Sequence, residues 1–179
     1  MDIKRYATIA CGIMLSACLT GGTALANPLD VGGPTVWDAK FMSRAMALAR
    51  TEIDESSAVL RRSHDSKSRR YAYAMGRAWS YTYSQLKAMA IDKGLPAEAP
   101  PVRIARQQMG PLMGRMSQAR GARIEADYAR DQVRLQREAI RLFWDEAKGT
   151  GDRYIRNLAT VTVPQLRSRL AFARRFSQG

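Results

Sequence analysis

The fold of this chain is decided most clearly by residues 71–89, which read YAYAMGRAWSYTYSQLKAM. Large side chains recur there at steps of three and four residues, the spacing of one face of an amphipathic helix. Gly94 supplies a stop and Pro96 a breaker, so we predict that this helix ends at about Asp92. The stripe consists of Tyr71, Met75, Trp79, Thr82, Leu86 and Met89.

Three further segments carry the same periodicity, at about residues 35–63, 121–148 and 152–176. Pro164 lies inside the last segment and is expected to kink it or divide it in two. No stretch shows the sustained alternation of a strand. We therefore predict an all-α protein, a four-helix bundle of antiparallel helices over residues 36–176, with a longer middle connection.

Two segments give no such periodicity. Residues 27–35 contain two Pro and two Gly, and we expect a flexible lead. Residues 102–120 could form one or two helical turns, broken by Gly110-Pro111, and their structure stays open.

The first 26 residues resemble a secretory signal. Two cations precede an apolar run, residues 7–19, which is shorter than the roughly 20 residues that span a bilayer. Cleavage after Ala26 fits a small-x-small site. Cleavage before Cys18 fits a lipobox, Leu-Ser-Ala-Cys, in which Cys18 would be acylated. Both sites stay open, and Cys18 could also be an ordinary apolar residue of the run.

Either cleavage predicts an exported protein, in the periplasm or lipid-anchored in the cell envelope. Cys11 is removed in both cases, so the mature chain has no disulfide framework. Membrane attachment is expected only if Cys18 is acylated.

The chain is strongly basic, with 29 Lys and Arg against 16 Asp and Glu and a formal net charge of +13. For an exported protein the available polyanions are anionic lipid, lipopolysaccharide and cell-wall polymers rather than nucleic acid. The arginines are scattered along the sequence, which is more typical of a solvated face than of a binding stripe. A run of tyrosines in the second helix, Tyr71, Tyr73, Tyr81 and Tyr83, is more typical of packing than of stacking on sugars or headgroups.

No catalytic constellation is visible. The only His, His64, falls in the turn between the first two helices, so no Glu-x-x-His pair and no Ser-His-Asp site can be assembled. Gly110 to Gly114 lacks the Lys and the preceding strand of a phosphate loop. We predict a protein that is not an enzyme and holds no cofactor.

An ordered set of residues at consistent spacing resembles a bacterial family of exported ferritin-like bundles, the domain of unknown function 4142 family, over roughly residues 36–176. No single motif in the set is strong. Its members are Phe41, Glu52-Ile53, Met75, Leu86 to Ala90, Tyr128, Asp131 to Val133, Leu142-Phe143, Glu146-Ala147 and Val163 to Leu166.

The resemblance also implies a site. The family typically carries a Glu on the first helix, an Asp-His pair on the second and one His on each of the last two. On this chain the Glu is kept as Glu52, whereas the other positions hold Ala78-Trp79, Gln136 and Arg169. In the family such a layer is a candidate metal site. Here all three imidazoles are gone, and Arg cannot be a ligand.

These five positions lie on or beside the apolar stripes and are predicted to face the bundle interior. We hypothesise that Glu52 and Arg169 form a buried ion pair that replaces the metal, with Gln136 completing the hydrogen bonding and Trp79 filling the space. The alternative is that Arg169 extends to solvent between helices and Glu52 reaches water at the bundle edge.

Two functions are compatible with this sequence. The first is a non-enzymatic exported helical-bundle protein of the bacterial cell envelope, with a binding or structural role at an anionic surface or an envelope partner protein. The alternative is a ferritin-like protein that binds a metal or small ligand through an altered site.

Overall fold

The computed structural model describes residues 33–99, 122–149 and 151–178. Four long helices make up this part of the chain, and it contains no strand. They are α1 (Val36–Arg62), α2 (Ser66–Asp92), α3 (Ala122–Ala147) and α4 (Arg153–Gln178). Short turns join α1 to α2 and α3 to α4, whereas residues 93–121 connect α2 to α3. The predicted all-α four-helix bundle with a longer middle connection is confirmed.

Capping residues fix where the helices begin. Thr35 and Asp38 form a capping box at the start of α1, in which each side chain accepts from the other residue's backbone N–H. Asp65 caps α2, and Asp152 caps α4 by accepting from the backbone N–H groups of its first turn. After α2, Gly94 adopts a φ of 64°, which a residue without Cβ takes readily, and ends the helix as predicted.

The helices surround the core in the order α1, α2, α4, α3. α1 packs against α2 and α3, and α4 packs against α3 and α2. The apolar core has two clusters, one around Trp79, Leu86 and Phe143 and the other around Tyr71 and Tyr128. Polar side chains occupy the interior between them, and these include the positions singled out from the sequence.

Pro164 does not divide α4. The helix runs unbroken from Arg153 to Gln178, so this alternative in the prediction is wrong. Pro164 is exposed, so the carbonyl that loses its helical hydrogen bond can be solvated. Its neighbours Val163 and Leu166 are buried and hold the helix against the core on both sides.

None of the described helices is long and apolar enough to cross a membrane. The signal segment 1–26 with Cys18, most of the lead 27–35, and residues 102–120 lie outside the described residues.

Candidate functional site

Glu52 lies at the centre of the interior polar layer. Its side chain is fully buried, and two amides of α3 donate to it. Gln132 Nε2 lies 2.6 Å from Glu52 Oε2, and Gln136 Nε2 lies 3.0 Å from Oε1. The carboxyl of α1 is therefore held by α3, with one amide on each oxygen.

The network continues from Gln132 to α2. Gln132 Oε1 accepts from the Tyr71 hydroxyl at 3.1 Å. A second buried bond joins Ser56 Oγ and the Tyr128 hydroxyl at 3.0 Å, again between α1 and α3. Gln132 was not among the site residues predicted from the sequence, although it precedes Gln136 by four residues and so shares its helix face.

Arg169 turns toward α2 rather than toward Glu52. Its Nη2 donates to the Ala78 carbonyl at 3.1 Å and to Thr82 Oγ1 at 3.0 Å. Its Cζ lies 4.9 Å from the centroid of the Trp79 ring, in a cation–π contact. Ala78 itself is half-buried and contributes its backbone carbonyl.

The hypothesised ion pair between Glu52 and Arg169 is wrong. Among the described residues no ion pair within 4.0 Å includes either of them. The solvent-reaching alternative is also wrong, because Arg169 is 8% exposed and Glu52 0%. The physical reason is that α3 supplies nearer donors to the carboxyl, while α2 supplies acceptors and a ring face to the guanidinium.

Burial sets the charge of the carboxyl. Desolvation raises the pKa of Glu52 to about 8, against the opposing effects of the Gln132 hydrogen bond and the positive charge of Arg169. At neutral pH this carboxyl is therefore mostly protonated. A protonated carboxyl needs an acceptor, and Gln136 Oε1, which has no partner among the described groups, can become one by rotation of its amide.

A second carboxyl, Glu55, lies close by on α1. Burial, together with the nearby carboxyl of Glu52, raises the pKa of Glu55 well above its usual value. The two carboxyls thus tend toward their neutral, hydrogen-bonded forms. In the part of the chain that the structure describes, no group of three or more His, Cys, Asp and Glu could hold a metal ion.

Charge is distributed unevenly among the helices. α2 contains five Lys and Arg and one Asp, and α4 contains six Arg and no acidic residue. α1 has five cations and four acids, and α3 has five cations and six acids. Since α2 and α4 are neighbours in the bundle, the arginines that look scattered in sequence gather on one side.

We call the exposed surface of α2 and α4 the basic face. Lys87 of α2 pairs with Glu98 at 2.5 Å, but the eight other cations of this face form no ion pair within 4.0 Å with a described carboxylate. On α1 and α3, pairs such as Arg50–Asp54 and Arg130–Asp127 are present. The tyrosine run is split, because Tyr71 is buried while Tyr73 and Tyr81 are 56% and 59% exposed on this face. The exposed cations are Lys67, Arg69, Arg70, Arg77, Arg153, Arg167, Arg174 and Arg175.

Comparisons with known proteins match the sequence to one family and show that its fold is similar to that of proteins from a second family. The family model described as "Domain of unknown function (DUF4142)" matches residues 27–176. A DUF305 fragment from Deinococcus radiodurans superposes with a TM-score of 0.66 at 16% identity, over 79% of this chain and 95% of that one. A protein from Streptomyces coelicolor described as a "putative secreted protein DUF305" gives a TM-score of 0.61 at 17% identity, over 76% of this chain and 89% of that one. No curated protein matches the sequence significantly. At these identities the two structures show the fold alone.

Proposed function

The chain belongs to the DUF4142 family, and we propose that it is a non-enzymatic, exported helical-bundle protein of the bacterial cell envelope that binds anionic surfaces through its basic face. The observation that carries this proposal is the gathering on α2 and α4 of eight exposed cations that form no ion pair with a described carboxylate. A surface with a single sign of charge is expected to attract a surface of the opposite sign.

The strength of this attraction can be bounded. A Lys or Arg close to an anionic membrane contributes about 1 kcal/mol, so engagement of half of the eight exposed cations would supply about 4 kcal/mol. Tyr73 and Tyr81 add aromatic rings with polar ends, which suit the boundary between headgroups and acyl chains. Residues 100–121 add four Arg and no acidic residue to the chain.

The proposed location rests on the amino-terminal sequence. Residues 1–26 fit an export signal, and the similar DUF305 structure titled as secreted is compatible with export. If Cys18 is acylated, the lipid would hold the bundle near the membrane and raise the local concentration of the anionic surface around it. An anchored chain would then need only weak attraction by the basic face.

The alternative function, a ferritin-like protein that binds a metal or small ligand through an altered site, rests on Glu52. This residue keeps the family's carboxyl inside the bundle, but both of its oxygens accept from amides. Metal content of protein purified without chelator, compared between wild type and Glu52→Gln, separates the two functions. Stoichiometric metal that is lost in the variant would establish the alternative.

The proposed binding is tested by co-sedimentation of the purified chain with vesicles. Vesicles of phosphatidylcholine alone are compared with vesicles that also contain phosphatidylglycerol. Binding is expected only with phosphatidylglycerol, and it should weaken steeply between about 0.1 and about 1 M NaCl, as the Debye length shortens from about 10 to about 3 Å. Binding that is equal on both vesicles, or indifferent to salt, would contradict the proposal.

A further inference from the structure

A separate feature lies on the opposite side of the bundle, between the first turns of α1 and the last turns of α3. A cavity of about 500 Å³ opens there, within the size range of small-ligand sites. Its floor is apolar, formed by the buried Phe41 and the half-buried Leu142. Trp37, 58% exposed, forms one wall, and the Arg44–Glu138 ion pair at 3.3 Å lies in the lining.

A buried carboxyl reaches this cavity from α3. Glu146 is 1% exposed, and neither of its oxygens has a hydrogen-bond partner within 3.5 Å. The Trp37 indole and the Asp38 carboxyl still act on its pKa through weaker side-chain hydrogen bonding. Its neighbour Asp38 accepts from the N–H and hydroxyl of Thr35 at 2.6 and 2.7 Å, and from the N–H of Asp152 at 3.1 Å. Glu146 is therefore a buried carboxyl of the cavity lining without a close hydrogen-bond donor.

The charged groups that act on Glu146 come from α1 and α4. Asp38 of α1 faces it with a negative charge, and Arg156 of α4 offsets part of that charge. Burial and the neighbouring Asp38 raise the pKa of Glu146 to about 7. Asp152, which caps α4, is neutralised by Lys93 at 3.2 Å. At neutral pH, Glu146 is thus about half protonated.

We propose that this cavity binds a small organic ammonium ion carried on an apolar or aromatic body, with Glu146 as its counter-ion. The ammonium group supplies the donors that Glu146 lacks and takes the place of its proton. The body packs on Phe41 and Leu142, with Trp37 alongside.

Other ligand classes fit this cavity less well. A small anion at the same depth would meet the Glu146 carboxyl, with the buried Asp38 carboxyl close behind it. A metal ion would find too few donors, since Asp38 is already occupied and no metal-holding group exists among the described residues. Lys40 and Arg141 at the rim would accept a ligand that also carries a carboxylate. This inference is independent of the basic face.

The test is isothermal titration of the whole chain with 2-phenylethylamine near pH 7, in two buffers of different ionisation enthalpy. We expect saturable binding that releases about half a proton per ligand, because the ammonium ion displaces the proton of Glu146. The matched probe 2-phenylethanol has the same body without the charge and should bind about tenfold or more weakly.

Two variants locate the site. Glu146→Gln keeps the size of the side chain, can still donate to Asp38, and should weaken binding about tenfold or more and abolish proton release. Trp37→Ala removes an exposed wall of the cavity and an indole that acts on Glu146, and it should also weaken binding. Asp54→Asn, which removes an exposed carboxylate of α1 outside the cavity lining, is the control and should change affinity by less than about threefold. Absence of saturable binding by the wild type, equal binding of the alcohol, or unchanged binding by Glu146→Gln would each overturn the proposal.

Discussion

The state of Glu52 gives the sharpest prediction about the interior. Replacement of Glu52 by Gln removes the titratable carboxyl and keeps the size of the side chain. Burial raises the pKa of Glu52 from its usual 4.5 to about 8, so between these values the native state holds a proton that the unfolded state has released. Stability must therefore fall as pH rises through this window.

The size of the effect follows from the two pKa values. At 1.36 kcal/mol per pH unit, the part of the free energy of unfolding that Glu52 controls should fall by about 4 kcal/mol between about pH 5 and about pH 9. Glu52→Gln lacks this dependence, and rotation of the Gln136 amide gives the new amide an acceptor. The variant should therefore match the wild type near pH 5 and exceed it by several kcal/mol near pH 9.

The assay is urea unfolding followed by circular dichroism across that pH range. Other buried carboxyls such as Glu146 titrate in both proteins, so the difference between the two curves reports on Glu52 and its coupling to Glu55. Asp54→Asn, an exposed neighbour on the same helix, is the control and should follow the wild type within about 0.5 kcal/mol. If the free energy of unfolding of Glu52→Gln falls between pH 5 and pH 9 by as much as that of the wild type, the native protein holds Glu52 ionised. That result would refute a protonated Glu52.

Three further substitutions test the packing, each by urea unfolding. Pro164→Ala should raise the free energy of unfolding by about 1–3 kcal/mol, because it restores a helical hydrogen bond at an exposed position of α4. Gly151→Ala should lower it by about 1–3 kcal/mol, because the added Cβ would overlap the Asp38 carboxylate. Arg169→Met should leave stability unchanged or raised, since it removes a desolvated charge, and it should raise the pKa of Glu52 further by removing the nearby positive charge.

Each of these has a contradicting outcome. Gly76→Ala is the control for Gly151→Ala, because its Cβ would lie 3.3 Å from Ser56 Cβ inside a regular helix and should cost little. Equal losses in the free energy of unfolding for the two substitutions would mean that the Asp38 carboxylate does not lie against Gly151. A destabilising Pro164→Ala would mean that α4 requires the proline geometry, and a strongly destabilising Arg169→Met would mean that the guanidinium is essential to the α2–α4 contact.

The helices could be predicted closely from the sequence because local signals mark their ends. Asp152 is a capping residue directly before α4, and Gly94 ends α2 through its positive φ. These signals act within one turn, so they depend little on the rest of the fold. Pro164 was partly misjudged because its effect depends on tertiary packing by Val163 and Leu166, which local sequence does not report.

The interior contacts could be predicted only in part. The periodicity of each helix indicates which residues face inward, and Gln132 could have been added to Gln136 on that basis. Periodicity does not indicate which neighbouring helix a side chain contacts, and the predicted ion pair between Glu52 and Arg169 is wrong for this reason. Arg169 lies beside α2, where Thr82 and the Ala78 carbonyl accept its hydrogen bonds.

The basic face shows the same dependence on helix order. The charge of each helix can be counted from the sequence, but only the order α1, α2, α4, α3 brings the two basic helices together. A bundle with α2 and α4 on a diagonal would separate the same arginines by the width of the core.

Binding of anionic surfaces through the basic face can be separated from the effect of net charge with two variants of equal net charge. One carries Arg70, Arg77, Arg167 and Arg174 changed to Gln, all exposed on α2 and α4. The other carries Arg50, Arg61, Arg123 and Arg137 changed to Gln, all exposed on α1 and α3. Their affinities for phosphatidylglycerol vesicles at fixed salt are compared by co-sedimentation.

At about 1 kcal/mol for each cation that approaches the membrane, the first variant should bind roughly 100-fold or more weakly than the wild type, and the second within a few-fold of it. Equal weakening by both variants would show that net charge alone, rather than the arrangement of α2 and α4, governs binding. That result would contradict the account.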